Sequence, residues 1–220
     1  MEKDHSSYES LLMVSVKEGH RKFDRTFHKI GNLLNGLAVE YAIIGAVSMG
    51  ITTSYQRYTQ DIDILSYDQY RSAIHPELIG NQFETLQDGL NPEEYMVRYT
   101  DTETGITVDI LYSDDRIDPE ASVVGTAIEA RMFDTTVTVC LPEMAVWMCL
   151  HSNQMRHKSD IVELLKTGEV DTPRLGRWIK QADQSFLLDE LNEWIGRANE
   201  ELKPSKYNSY RSAITIPTID

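Results

Sequence analysis

Two aspartates, Asp61 and Asp63, stand one residue apart in the segment DIDIL, a spacing that suits metal chemistry. In a β-strand, residues i and i+2 lie on the same face, so both carboxylates would share one surface while Ile62 and Ile64 occupy the other. Like charges held close together repel each other, so the pair by itself would destabilise the fold. Because oxygen ligands suit Mg²⁺ or Mn²⁺, the pair predicts a divalent-cation site.

A third carboxylate, Asp109, lies in the middle of the apolar run ITVDILY. Burying a carboxylate is costly unless it is paired or bound to a cation. Two interpretations follow. Asp109 lies on the solvated face of an edge strand, or it is a third metal ligand that lies opposite Asp61 and Asp63 across a sheet.

The residues before the aspartate pair predict a turn that suits an anion. Tyr41–Ile44 form a short apolar run typical of a buried strand, and Gly45 follows where the backbone must turn. Ala46–Gly50 are small or unbranched enough to begin a helix, and the first amide groups of a helix can face an anion.

The elements that must position these residues follow from hydrophobic periodicity and turn residues. An acidic stretch containing Asp114, Asp115 and Asp118 is either a metal cluster or a solvated turn before a helix. The predicted strands are 41–44, 61–65, 95–100, 106–112 and 133–141. The predicted helices are 8–16 (one or two turns), 20–37, 67–78, 119–130, 143–152, 158–166, 173–182 and 186–202.

The order of these elements predicts two parts. With 220 residues, 41% of them hydrophobic, the chain has ample material for a core. Strands and helices mix over residues 1–140, which we interpret as an α/β domain with an N-terminal helix, and residues 141–220 form a helical C-terminal region.

Charge and cysteine usage limit the partners. A net charge of -14 disfavours an extended nucleic-acid surface, although it does not exclude a local basic cleft. Cys140 and Cys149 lack metal-type spacing and lie in apolar surroundings, which predicts buried free thiols. The apolar runs are too short for a membrane span and no signal peptide is visible, so we expect no membrane partner and a cytoplasmic location.

The segments GAVS (Gly45–Ser48) and RYTQDID (Arg57–Asp63) together resemble the signature of the DNA polymerase β-like nucleotidyltransferase superfamily. Within it, the chain is most similar to the small bacterial AbiEii-like enzymes, whose pattern is G-[GA]-x-[SA] followed by R-x-T-x-D-[IL]-D. The resemblance implies an α/β (α+β) fold with a nucleotidyltransferase-type mixed β-sheet flanked by helices. It also implies transfer of an NMP group from an NTP to a hydroxyl acceptor by a two-metal mechanism.

The resemblance assigns roles to the acidic residues and the turn. Asp61 and Asp63 would bridge two Mg²⁺ or Mn²⁺ ions, and Asp109 would serve the ion on the acceptor side. Ser48 would hold the β and γ phosphates together with the amides that follow Gly45–Ala46, where the family often has Gly-Gly.

Two residues before the aspartates are also candidates for the nucleotide site. Arg57 would either neutralise a phosphate or pair with an aspartate to orient it. Thr59 would orient the aspartate strand by a hydroxyl hydrogen bond, although the β-propensity of threonine also explains its position.

The helical region carries a second resemblance to the AbiEii-like enzymes. Pro142–Glu143 matches the Pro-Glu that opens a helix in that family, and Met155–Ile161 resembles the family segment with an Arg-x-[KR]-D pattern that begins the next helix. The usual lysine of the first helix is missing, since Cys149 occupies its place. Either phosphate binding is weakened, or Lys158 substitutes as the phosphate-contacting charge.

The sequence does not identify the hydroxyl acceptor of the NMP group, which is RNA, a protein or a small molecule. AbiEii-like proteins include toxins that pair with an antitoxin, so the resemblance implies that this chain could have an antitoxin-like protein partner. The missing lysine and the acidic surface keep a second hypothesis open, a non-catalytic nucleotide- or partner-binding module of the same fold. A third is nucleotidylation of aminoglycoside-type polycations, which an acidic cleft would attract.

Overall fold

The structure is a computed structural model that describes residues 17–113, 119–203 and 215–219. The chain divides between Leu141 and Pro142 into two compact units, except that Thr53–Tyr55 belong to the second. The helical turns predicted within 8–16 and the acidic stretch around Asp114 and Asp118 lie outside the described residues.

The first unit contains the strands. In chain order its described elements are α1 (Lys17–Leu37), β1 (Tyr41–Ile44), α2 (Gly45–Thr52), β2 (Asp61–Tyr67), a 3₁₀ turn (Asp68–Tyr70), α3 (Arg71–Gly80), β3 (Phe83–Glu84), β4 (Met96–Asp101), β5 (Thr107–Ser113), α4 (Pro119–Thr126), β6 (Ile128–Met132) and β7 (Thr135–Val139).

The strands form one mixed sheet in the order β3-β4-β5-β2-β1-β7-β6. β2 runs parallel to β5 and β1 runs parallel to β7, whereas the other neighbouring pairs are antiparallel. This arrangement confirms the predicted mixed sheet with flanking helices. Since β5 lies between β4 and β2, the interpretation of Asp109 as a residue on an edge strand is wrong.

The alternation of β2 fixes where its aspartates lie. Ile62 and Ile64 are completely buried in a core that includes Phe27 and Ile30 of α1. Burying a side chain of this size stabilises the fold by about 1.5–3 kcal/mol, so the isoleucines lock the strand against a one-residue slip. Asp61 and Asp63 are thereby held on the opposite face.

The region after residue 119 differs from the prediction. The helix predicted at 119–130 ends at Thr126, and Ile128–Met132 form β6, which pairs antiparallel with β7. Glu, Ala, Arg and Met favour helices on their own, but the sheet edge offered by β7 overrides that weak preference. Phe133 and Asp134, predicted as the start of a strand, instead form the hairpin turn with φ of 47° and 58°.

The helix predicted at 67–78 also changes at both ends. It opens as a 3₁₀ turn at Asp68 and continues as α3 to Gly80, with Pro76 inside the helix rather than at its end. The predicted hairpin turn before β5 is confirmed, and Gly105 adopts the left-handed conformation there with φ of 76°.

The second unit is helical. Its described helices are α5 (Pro142–His151), α6 (Met155–Lys166), α7 (Thr172–Gln181) and α8 (Phe186–Leu202), which agree with the predicted ranges to within three residues. Asp171 caps α7 by accepting a 2.9 Å hydrogen bond from the Arg174 amide. Residues 215–219, which we call the C-terminal segment, contact α7 and α8.

Both cysteines are buried free thiols, as predicted. Across the described ranges, each helix is too short or too polar to cross a bilayer.

Candidate active site

Asp61, Asp63 and Asp109 meet on one face of the sheet. β2 and β5 pair in parallel with Asp63 directly beside Asp109 and Asp61 beside Thr107. One carboxylate oxygen from each aspartate lies within 4.8 Å of the other two. Asp109 is 4% exposed, whereas Asp61 and Asp63 are half-buried. Three carboxylates this close provide the oxygen-only ligand set that Mg²⁺ or Mn²⁺ prefers.

Gly45 lies against this cluster at the end of β1. Ile44 pairs with Asp63 across the β1–β2 ladder, and Gly45 then turns the chain with φ of 64°. A Cβ atom at Gly45 would lie 2.2 Å from Oδ2 of Asp63. Both the left-handed backbone and the absence of a side chain are therefore required here. The amide groups that open α2 are thus placed next to the acidic cluster.

Arg98 is a component of the site that sequence reasoning missed. It lies on β4 directly opposite Asp109. Its Nε and Nη2 donate to Oδ1 and Oδ2 of Asp109 at 2.7 and 2.5 Å. The hydrogen bonds and charge of Asp109 raise the pKa of Arg98, and Asp61 and Asp63 add to this increase. Counting outward from the predicted turn pairs residue 98 with residue 108, one position away from the observed partner Asp109, so the sequence pattern alone did not place Arg98 at the site.

The structure connects Thr59 directly to the cluster. Its hydroxyl donates to a carboxylate oxygen of Asp61 and lies 3.2 Å from the Asp61 carbonyl oxygen. This contact orients Asp61. A part for Thr59 in binding the nucleotide itself stays a prediction.

Ser48 and Ala46, which were predicted to contact phosphates, are both buried. Ser48 is completely buried; its hydroxyl donates to the Gly45 carbonyl at 3.0 Å and accepts from the Cys140 thiol at 3.1 Å. Ala46 is 1% exposed. In this conformation the Ser48 hydroxyl is already engaged by two contacts within the first unit. Arg57 is half-buried in the same unit. The phosphate roles of these three residues stay predictions.

Lys158 lies in the second unit and is held there by two contacts. Its Nζ donates to the Leu150 carbonyl at 2.9 Å and to Glu190 at 2.6 Å. Burial raises the pKa of Glu190, but hydrogen bonds from Lys158 and Trp194 outweigh it and leave that pKa below its usual value. These contacts use two of the three donors of the Lys158 ammonium, and its role toward a phosphate stays a prediction. Cys149, at the position of the family lysine, is 4% exposed.

Glu143 and Arg174 form a second buried ion pair within the helical unit. Glu143 is completely buried and accepts from Nη2 of Arg174 and from the Asp171 amide, both at 2.7 Å. A buried carboxylate needs such partners. The Pro-Glu pair picked out by resemblance therefore has a structural function, since it ties α5 to the start of α7.

Solved structures provide the comparison for this fold. No family model and no curated protein matches the chain. An antigenic nucleotidyltransferase-like protein from Paracoccidioides brasiliensis superposes with a TM-score of 0.52 at 14% identity, over 81% of this chain and 92% of that one.

Two antibiotic-related structures also match the chain, with lower TM-scores. Lincomycin-bound LnuA, a lincosamide antibiotic adenylyltransferase, gives a TM-score of 0.48 at 18% identity over 64% of this chain and 95% of that one. ANT(2″)-Ia in complex with adenylyl-2″-tobramycin gives 0.47 at 13% identity over 81% and 97%. At these identities the likeness concerns the fold alone, and it is the nucleotidyltransferase-type α/β fold that this chain adopts.

Proposed function

We propose that the protein is a divalent-cation-dependent nucleotidyltransferase, which transfers an NMP group from an NTP to a hydroxyl acceptor. The observation that carries the proposal is the convergence of Asp61, Asp63 and Asp109 to within 4.8 Å beside the Gly45 turn. Acidic residues are common on protein surfaces, but a carboxylate that is 4% exposed and in register with a second one is not a solvated surface group.

The donor set fits Mg²⁺ or Mn²⁺. Asp61 and Asp63 would hold the cation, and Asp109 would complete the site on the acceptor side. When bound, the cation would neutralise phosphate charge and lower the pKa of the acceptor hydroxyl. Thr59 holds Asp61 in place by its hydrogen bond, which reduces the cost of ordering that ligand when the site is filled.

The reaction exchanges a phosphoanhydride bond of the NTP for a phosphoester bond to the acceptor. The acceptor oxygen bonds to the α-phosphorus, the bond from that phosphorus to the bridging oxygen of the β-phosphate breaks, and pyrophosphate leaves with the electron pair. The acceptor proton passes to a carboxylate of the cluster or to water. The protein mainly positions the two reactants, and the amides that open α2 would bind the phosphates of the NTP.

The AbiEii-like subfamily and an antitoxin-like partner rest on the sequence motifs alone. The cytoplasmic location and the two-domain division at residue 140 likewise remain proposals. We infer no extended nucleic-acid surface, in keeping with the net charge of -14.

The experiment is an unbiased labelling reaction. Purified protein is incubated with Mg²⁺, each α-³²P-labelled NTP in turn, and a lysate separated afterwards into RNA, protein and small-molecule fractions. We expect label from at least one NTP to enter one fraction and pyrophosphate to be released. Calorimetric binding of NTP without label transfer to any fraction would support the non-catalytic module instead.

A further inference from the structure

Arg98 contacts the acidic cluster through Asp109, and its guanidinium binds both oxygens of that carboxylate. Its Nε donates to Oδ1 of Asp109 at 2.7 Å and its Nη2 donates to Oδ2 at 2.5 Å. β5 lies between β4 and β2, so Asp109 has Arg98 on one side and Asp63 on the other, all three at matched register positions. Arg98 therefore occupies the carboxylate that the proposed function assigns to the cation.

We propose that Arg98 is a displaceable counter-cation, which pairs with Asp109 in the cation-free protein and competes with the divalent cation for the Asp109 oxygens. The inference rests on the proposed function, because it takes Asp109 as a cation ligand. Arg98 would thus be a positioning residue that sets how tightly the cluster binds its ion.

The need for a counter-cation follows from the burial of Asp109. Its side chain is 6% exposed, and it lies within 4.8 Å of two further carboxylates. A buried carboxylate among like charges is unfavourable without a partner. Arg98 supplies that partner with a bidentate geometry, which is the strongest form of such a pair.

Arg98 can leave Asp109 because its own side chain is exposed to solvent. Its side chain is 54% exposed, so the guanidinium reaches Asp109 from the solvent side and can return to water without being buried elsewhere. The bidentate pair uses a lone pair on each oxygen of Asp109. A cation that binds Asp109 must share or displace those hydrogen bonds, and the binding of cation and of Arg98 therefore oppose each other.

Two other roles for Arg98 predict different results. If Arg98 only braces Asp109 in a cation-binding orientation, its removal weakens cation binding. If Arg98 acts only through its positive charge, a lysine in its place behaves like the wild type. Competition through the bidentate pair predicts tighter binding in both Arg98→Gln and Arg98→Lys, because lysine keeps the charge but lacks the planar fork.

The test measures Mn²⁺ affinity by calorimetry and by electron paramagnetic resonance, in the full chain without nucleotide. We expect Arg98→Gln to bind Mn²⁺ about tenfold more tightly or better, the scale on which an adjacent opposite charge shifts an equilibrium at a carboxylate. Arg98→Lys should lie between Arg98→Gln and the wild type. Arg131→Gln is the matched control, because Arg131 pairs with the exposed Asp134 and its removal changes net charge equally.

Thermal unfolding gives a second readout through linkage. Without the ion, Arg98→Gln should unfold at a lower temperature than the wild type, and saturating Mn²⁺ should raise its Tm by a larger amount. Equal or weaker Mn²⁺ binding in Arg98→Gln, wild-type binding in Arg98→Lys, or an equal effect in Arg131→Gln would each overturn the inference. Failure of the wild type to bind Mn²⁺ any better than Asp63→Asn would instead overturn the cation site of the proposed function.

Discussion

Asp63 and Asp109 lie directly beside each other on the parallel strands β2 and β5. The same row of the sheet continues to Ile44 on β1 and to Arg98 on β4. A single register thus aligns the residue before the Gly45 turn, two carboxylates and a guanidinium across four strands. Because register is set by the apolar residues on the opposite face, the core of the first unit determines the geometry of the site.

The first prediction concerns the paired aspartates. Asp61→Asn and Asp63→Asn should each reduce label transfer by more than about 100-fold, since loss of a metal's outer-shell partner alone costs up to that factor. Removing one of three repelling charges should not unfold the protein, so circular dichroism should remain unchanged. The measurement is the rate of transfer from α-labelled NTP at saturating Mg²⁺.

Asp134→Asn is the control for these two variants. Asp134 lies in the β6–β7 turn with its side chain 90% exposed, and asparagine tolerates its positive φ. Its transfer rate should equal that of the wild type. Full activity in both Asp61→Asn and Asp63→Asn would remove the catalytic assignment.

The second prediction concerns Gly45. Gly45→Ala would place a methyl group 2.2 Å from Oδ2 of Asp63 and force a left-handed backbone on an L-residue, which by itself costs about 1–2 kcal/mol. We expect Mn²⁺ affinity to fall and the free energy of unfolding to drop by at least that amount. Calorimetry and urea denaturation measure the two effects.

Gly36→Ala is the matched control. Gly36 lies in α1, and beyond the backbone of that helix no atom of the described residues comes within 4 Å of the place a methyl group would take. Alanine in a helix is about 0.5–1 kcal/mol more stable than glycine. Gly36→Ala should therefore stabilise the protein and leave Mn²⁺ affinity unchanged. The Gly45 assignment is wrong if the two variants behave alike.

Local periodicity was enough to predict the strand, turn and strand that carry Gly45, Asp61 and Asp63. A buried tetrapeptide, a glycine and an alternating DIDIL segment each have one favourable local structure. The approach of Asp109 to Asp61 and Asp63 belonged to one of two interpretations. Because β5 pairs with both β2 and β4, the edge-strand interpretation is wrong, and the role of Asp109 as a metal ligand stays a prediction.

Features set by long-range pairing were missed. Ile128–Met132 has the composition of a helix and becomes a strand only because β7 offers it a partner. Arg98 was treated as one residue of an alternating strand, and its role required the register of the β4–β5 hairpin. The hydroxyl of Ser48 faces Cys140, a contact between residues 92 positions apart that no local pattern encodes.

The third prediction concerns pH and Asp101, which is completely buried at the end of β4. It accepts from Thr26 at 2.8 Å and from Lys29 at 3.1 Å. Burial raises the pKa of Asp101, but these hydrogen bonds outweigh it and leave the pKa below its usual value. Its ionised form therefore stabilises the fold above the unfolded pKa of about 3.9, and that contribution disappears as pH falls through the lower folded pKa.

Asp101→Asn should reduce the free energy of unfolding by about 2 kcal/mol at pH 7, the range for a hydrogen bond to a charged group. The difference from the wild type should shrink as pH is lowered through the window below about pH 4. Urea denaturation at a series of pH values measures it, with exposed Asp134→Asn as the control. A difference that stays constant down to the lowest pH would contradict the role of ionised Asp101.

The fourth prediction concerns two asparagines of α8 that hold the C-terminal segment. Asn199 donates to the carbonyl of Ile216 and accepts from its amide, each at 2.9 Å. Asn192 makes the same pair of 2.9 Å hydrogen bonds to Ile219. Seven residues separate the asparagines, which is about two helical turns, so both side chains lie on one face of α8. The asparagines therefore bind the backbone of the segment rather than its side chains.

Asn199→Ala should remove two hydrogen bonds and weaken attachment of the segment by about 1–2 kcal/mol. Hydrogen exchange at the Ile216 amide should accelerate by about tenfold, while exchange at Ile219 changes less because Asn192 still holds it. Asn192→Ala should give the reverse pattern, and exposed Asn153→Ala in the loop before α6 should change neither amide. Unchanged protection of Ile216 in Asn199→Ala would show that apolar contacts, such as that of Ile219 with Gly176, hold the segment without the asparagines.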